Sequence, residues 1–250
     1  MPPENPIGIP FFELSEVDST NNYAMQMVQA HLAEHGFTWF ANYQNSRKGQ
    51  RGKSWKAEPG QNITMSVLLQ PKNISIDSQF SLNAAIALAT QQFFNLYTIS
   101  DTTIKWPNDL YWRDRKAGGI LIENIIQGRD WKFAIVGIGI NINQSSFSDS
   151  LSNPVSLKQI TGKDYDVIGL AKELCTFLQA WWSQLKVLSI SRILAAYNEL
   201  LYKKDQKVKL EIHGEILEVV IKEVNSLGEL IVLHENDVLK LKTGNVKWLI

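Results

Sequence analysis

The stretch KWPNDLYWRDRKAGGIL, residues 105–121, holds the densest set of groups that could do chemistry. Lys105 and Trp106 close an apolar run, and Pro107, Asn108 and Asp109 form a polar turn. Leu110 to Trp112 is a short aromatic segment that leads into a basic turn, Arg113 to Lys116. Gly118 and Gly119 then open a second apolar run. Runs punctuated in this way predict a strand end, a turn and a hairpin that delivers Lys116 beside a glycine pair. A fixed cation next to backbone without side chains suits a site where an anion must approach closely. The same composition also fits an ordinary hairpin with a charged tip.

A second cluster lies in NYQNSRKGQRGKSW, residues 42–55. Arg47, Lys48, Arg51 and Lys53 surround Gly49 and Gly52. Glycine backbone can approach phosphate while the cations neutralise it. A solvated loop has the same composition. Such a loop holds little apolar area with which to order itself, so it is expected to order on ligand binding. Gly137 and Gly139 give half of a dinucleotide fingerprint without its third glycine, which gives no reason to place a Rossmann site there. His31 and His35 have metal-ligand spacing, but no third ligand is evident, and an exposed helix end explains them. His213 and His234 read as surface residues in turns. Cys175, the single cysteine, reads as a packing residue in a helix.

The motifs resemble one family, the biotin protein ligases. KWPNDL followed by RKAGGIL is similar to the signature of that family. EVDSTNNYA at 16–24 resembles its ST-N motif, residues 42–55 its glycine- and arginine-rich ligand loop, and IVGIGINI at 135–142 its glycine–asparagine strand. The order and spacing also match, from about residue 11 to the end. The resemblance implies ATP-dependent attachment of biotin to a carrier lysine through biotinyl-5'-AMP, with Mg²⁺ accompanying ATP. It assigns catalytic roles to Lys116, Arg51 and Asp109. It implies biotin contacts from Ser19, Thr20, Asn21, Gln44, Lys48, Gly49, Gln50, Trp55, Lys116 and Gly118, with Trp55 walling the apolar chain. Adenylate contacts are implied for Lys48, Arg51, Asn108, Lys116 and Asn141. Asp109 would bind Mg²⁺ through water or orient the carrier lysine, and no direct protein ligand to metal is expected. Ser19 and Thr20 would equally serve as helix caps. The loop departs from the family's GRGRxGR: Arg47 replaces the first glycine, Lys48 an arginine and Gln50 another arginine. Lysine keeps the charge but cannot make a bidentate arginine contact.

These groups need elements to hold them. A strand at 11–16, a helix over 20–35 capped by Asp18, Ser19 or Thr20, and strands at 37–42 and 63–69 are expected. An amphipathic helix from 77 or 78 to 97 follows, then strands at 103–106, 116–124 and 131–141, and a helical region over 166–200. The pattern favours an α+β fold, a mixed sheet with helices on one face. From about 203 the texture becomes short strands separated by turns, a small barrel. The family carries an SH3-like domain at this place. The expected domains are 1–202, catalytic, and 203–250, SH3-like, with the boundary near Leu201–Asp205.

Composition narrows the function classes. Lysine plus arginine equals aspartate plus glutamate, 25 each, so no global positive field favours nucleic acid. About fifteen residues precede the ST-N motif, too few for a winged helix-turn-helix, so no specific DNA binding is expected. No apolar run reaches membrane-spanning length and no signal peptide opens the chain, which points to the cytoplasm. The implied partner is the biotinyl domain of a biotin-dependent carboxylase. The oligomeric state stays open, a homodimer included. A lipoate or octanoate ligase or transferase of the same fold is the alternative enzyme. A non-catalytic module whose barrel docks a peptide or RNA is the alternative of another class, and the neutral charge balance weighs against RNA.

Overall fold

The computed structural model describes residues 4–46, 57–72, 74–128, 130–148 and 153–249. Lys48, Gly49, Gln50, Arg51 and Trp55 lie outside the described residues. Seven strands form the main sheet: β1 (Phe11–Val17), β2 (Thr38–Gln44), β3 (Asn62–Leu69), β4 (Thr102–Lys105), β5 (Asp109–Trp112), β6 (Arg115–Gln127) and β7 (Asp130–Asn141). Their order is β1-β2-β3-β7-β6-β5-β4. β1 pairs parallel to β2, and the other ladders are antiparallel, so the sheet is mixed as expected.

The helices occupy both faces, which corrects the expectation of one. β3 shows the reason. Its residues alternate in direction with the period of a strand, and all of them are buried. Ile63, Met65, Val67 and Leu69 enter the large core with helices α2 (Gln79–Thr98), α4 (Val167–Val187) and α5 (Ile190–Glu199). Leu68 points the other way. It joins Trp39, Ile135 and Ala24, the last from α1 (Thr20–Gln29). A strand apolar on both faces requires a cover on each.

Three helices differ from their expected form. α1 stops at Gln29, not near 35, because the chain turns at His31 into a left-handed conformation (φ 58°). His35 is therefore not on an exposed helix end. It is 4% exposed, packed against Trp182 with ring centroids 5.0 Å apart and the rings tilted by 31°, and its Nδ1 accepts from the Gln70 N–H at 3.0 Å. α2 is buried on nearly every side, not amphipathic, because α4 and α5 form a third layer over it. The 166–200 region is two helices, since Leu188 and Ser189 take extended conformations between them. A short helix, α3 (Leu157–Thr161), was not expected. Ser156 and Gln159 close it with a capping box, and Gly162 ends it in a left-handed turn.

The C-terminal strands are β8 (Lys207–Ile212), β9 (Glu215–Val224), β10 (Leu230–His234), β11 (Asp237–Leu241) and β12 (Val246–Leu249). They form an antiparallel sheet in the order β11-β10-β9-β8-β12, the SH3-like element expected. Its inward residues Leu210, Ile221, Leu230 and Val232 belong to the same apolar cluster as the main core. Trp106 Nε1 donates to Gly228 O at 2.9 Å across the junction. Among the described residues no helix is long and apolar enough to cross a membrane.

Candidate active site

The site lies on the α1 face of the main sheet. In β7 the sequence IVGIGIN alternates two sizes. Val136, Ile138 and Ile140 go down into the large core, while Gly137 and Gly139 face α1 and stay partly open to solvent. Cross-strand register aligns Asp109, Gly119, Gly139 and Thr64 in one row. The next row holds Leu121, Gly137 and Ser66. Glycine backbone in place of side chains makes this face the candidate ligand groove.

A β-bulge brings Lys116 to this groove. Leu110 pairs with Gly118, but Tyr111 pairs with Lys116, so Ala117 is the extra residue. The bulge lets Ala117 and Ile120 both enter the core. It also places Lys116 on the face of Gly119. Lys116 Nζ is 2.6 Å from Asp109 Oδ1, and both side chains are partly exposed. A Cβ on Gly119 would lie 3.1 Å from Asp109 Oδ1 and 3.5 Å from Lys116 Nζ. The second glycine of RKAGGIL thus leaves room for this ion pair. Gly118 meets a different limit, since a Cβ there would lie 2.7 Å from Gly139 O.

Ser19, Thr20, Asn21 and Gln44 gather at the far side. Ser19 is the N-cap of α1, but its side chain makes no capping hydrogen bond, so capping does not account for it. Gln44 Oε1 accepts from the Thr20 N–H at 2.7 Å and lies 3.2 Å from the Thr20 hydroxyl oxygen. Ser66 Oγ is 2.7 Å from Thr20 Oγ1 and 2.6 Å from Asn21 Oδ1. Asn21 Nδ2 donates to Glu123 Oε2 at 2.7 Å. From β6, which carries Lys116, to β3, which carries Ser66, is two interstrand steps, about 10 Å.

Asn108 and Asn141 are both 4% exposed and bonded to backbone. Asn108 Nδ2 donates to Ile120 O, and Ile120 N donates to Asn108 O at 3.0 Å. Asn141 Nδ2 donates to Val155 O at 3.1 Å, and Val155 N donates to Lys116 O at 2.9 Å. The two asparagines clamp the strands on either side of Lys116. Ser66, Glu123, Gly119, Gly137 and Gly139 were missing from the expected contact set. The glycine–isoleucine alternation carried the signal for the floor. Nothing local marked Ser66 or Glu123, whose partner Asn21 is distant in sequence.

A cation at one end of this face and a hydrogen-bonding cluster at the other make it a candidate site for an elongated ligand with an anionic end and a polar head. Comparison with known proteins places it. The model of the biotin/lipoate A/B protein ligase family matches residues 14–141, and the chain belongs to that family. It is 31% identical over 161 residues to the bifunctional ligase/repressor BirA of Bacillus spizizenii, covering 63% of this chain and 49% of the relative. The chain therefore spans about half the length of that relative. It is 28% identical over 190 residues to the biotin–[acetyl-CoA-carboxylase] ligase of Paracoccus denitrificans, covering 74% and 78% of the two chains. The structure of the Aquifex aeolicus biotin protein ligase in complex with biotin and ATP superimposes with TM-score 0.80 at 24% identity, over 95% and 97% of the chains. That likeness concerns the fold.

Proposed function

We propose that this protein activates biotin with ATP and transfers it to a lysine of a carrier protein. The observation that carries the proposal is the polarity of the groove: a cation and backbone at one end, amide and hydroxyl groups at the other. A biotin carboxylate would lie toward Lys116, its apolar chain over the glycine floor, and its ureido head among Thr20, Gln44 and Ser66. The ureido group has donors and an acceptor that hydroxyl and amide partners satisfy. A dithiolane or plain alkyl end would leave those buried polar groups unpaired, which disfavours lipoate or octanoate.

In the first step a carboxylate oxygen attacks the α-phosphorus of ATP. The bond from that phosphorus to the β-bridging oxygen breaks, and pyrophosphate leaves. No protein nucleophile is needed; the protein positions and stabilises charge. Lys116 would exchange part of its contact with Asp109 for the incoming anions. In the second step the carrier amine attacks the acyl carbon, AMP leaves, and the amine loses a proton. Asn108 and Asn141 act by holding the backbone that carries Lys116. Arg51, Lys48, Gly49 and Gln50 take adenylate and biotin roles, and Trp55 walls the apolar chain. Among the described residues no three His, Cys, Asp or Glu side chains cluster to hold a metal. Mg²⁺ would enter on the ATP phosphates, with the nearby Asp109 carboxylate reached through water. It would neutralise phosphate charge. The acceptor would be the biotinyl domain of a biotin-dependent carboxylase, with residues 1–202 catalytic and 203–250 supporting ATP use or transfer.

The test is ATP–pyrophosphate exchange by the purified protein with biotin, lipoate or octanoate. Exchange that depends on biotin is expected. Exchange with lipoate or octanoate but not biotin would establish the alternative, and none with any acid would leave a binding module.

A further inference from the structure

We infer that Glu123 sets the hydrogen-bond polarity of the ligand-head pocket through Asn21 and Ser66, so that Thr20 presents an acceptor to the ligand; this rests on the proposed function. An ionised carboxylate only accepts hydrogen bonds. Glu123 Oε2 therefore takes the Asn21 amide nitrogen at 2.7 Å, a group that also lies 3.5 Å from Leu121 O. This fixes the flip of Asn21 and turns its Oδ1 to Ser66, at 2.6 Å. Ser66 has one proton and is 0% exposed, so that proton goes to Asn21. The 2.7 Å contact between Ser66 and Thr20 oxygens must then be filled by the Thr20 proton. The Thr20–Gln44 oxygen contact is longer, 3.2 Å, in keeping with that choice. Thr20 is left with a lone pair and no proton to give, a partner for a ligand N–H. Gln44 Oε1 is held by the Thr20 N–H at 2.7 Å, which leaves its amide nitrogen to donate.

Glu123 and Asn21 are thus positioning residues: the Glu123 carboxylate orients the Asn21 amide, and the ligand meets that order through two hydroxyls. Gly137 is part of the same device, because any Cβ there would collide with Asn21 Oδ1. Without the carboxylate, Asn21 could turn over, Ser66 would accept from it, and the chain of protons would run the other way. Thr20 would then accept from Ser66 and turn its own proton toward Gln44 Oε1 and the ligand, which weakens the acceptor it presents.

The experiment compares Asn21→Asp, Glu123→Gln and the double variant Asn21→Asp/Glu123→Gln. The readouts are KM for biotin, KM for ATP and melting temperature. Asn21→Asp sets two carboxylates face to face and should raise the biotin KM about tenfold or more, with the ATP KM within about twofold. The double variant exchanges the amide and the carboxylate between the two positions. The new amide on β6 donates to the new carboxylate on α1, and that carboxylate accepts from Ser66, so the original charge and direction return. Its biotin KM should recover to within about threefold of wild type, well below that of Asn21→Asp alone. If Asn21→Asp does not fold, Glu123→Leu, which offers Asn21 no acceptor, should raise the biotin KM with the ATP KM unchanged, and an unaltered biotin KM there would overturn the inference. An unaltered biotin KM in Asn21→Asp, a double variant no better than Asn21→Asp, or equal rises in both KM values with a lowered melting temperature would overturn the inference. A wild-type protein without biotin-dependent exchange would overturn the proposed function and this inference with it.

Discussion

At the scale of single residues, His35 gives a pH prediction. Its ring is buried beside Trp182, with Glu4 Oε2 3.8 Å from Nε2. Burial lowers its pKa from the ordinary 6.5 to about 4; Glu4 opposes the shift and Lys186 adds to it. The folded protein therefore resists a proton that the unfolded chain takes up. The resulting stability is fully present above pH 6.5 and is lost as pH falls toward 4, amounting to about 3 kcal/mol. Urea denaturation at several pH values should show this decline, and His35→Asn, which keeps an acceptor for Gln70 N–H, should flatten it. An unchanged slope in the variant would assign the decline to other groups. Gly137 gives a second prediction. Asn21 is held by Glu123 and Ser66 and cannot retreat, so Gly137→Ala should cost about 1–3 kcal/mol and raise the biotin KM. Isothermal titration with biotin checks it, and wild-type affinity would show that the floor accepts a methyl group.

At the scale of elements, the KWPND–RKAGGIL hairpin serves two ends of the molecule. Its Asp109 and Lys116 face the groove, while Trp106 reaches back to Gly228 near the end of the loop before β10. Gly228 has φ +77°, and a Cβ there would lie 2.6 Å from the Phe80 ring. Trp106→Phe leaves the Gly228 carbonyl without its indole partner and should cost about 1–3 kcal/mol; a melting temperature equal to wild type would refute that role. Much of this hairpin was legible in the sequence, because turn residues, a glycine pair and alternating apolar runs are local signals. The bulge at Ala117 was not, since it exists to reconcile Ala117 and Ile120 with a core built by distant α2. The end of α1 was hidden for a related reason. HLAEH has helix-forming composition, and burial of His35 against Trp182 of α4 decides the outcome. Ser19 to Asn21 and Gln44 were legible as a set only through their likeness to a family. Glu123 was not, because its link to Asn21 spans 102 residues.

At the scale of the whole molecule, the C-terminal sheet shares the main core. Lys105 shows how close the junction is: its Nζ lies 4.7 Å from the Tyr111 ring centroid, 5.8 Å from that of Tyr202 and 5.1 Å from that of Trp248 in β12. A shared core predicts one cooperative thermal transition, and two separate calorimetric peaks would show that residues 203–250 fold on their own. The groove is held by this whole frame, and the chemistry proposed for it converges on one amine, that of Lys116. The most direct measurement is single-turnover formation of biotinyl-AMP from biotin and ATP by Lys116→Ala beside the wild type, each confirmed folded by circular dichroism. The wild type should form the adenylate, and the variant should do so about 10²-fold more slowly or worse. Formation of biotinyl-AMP by Lys116→Ala at the wild-type rate would contradict the account.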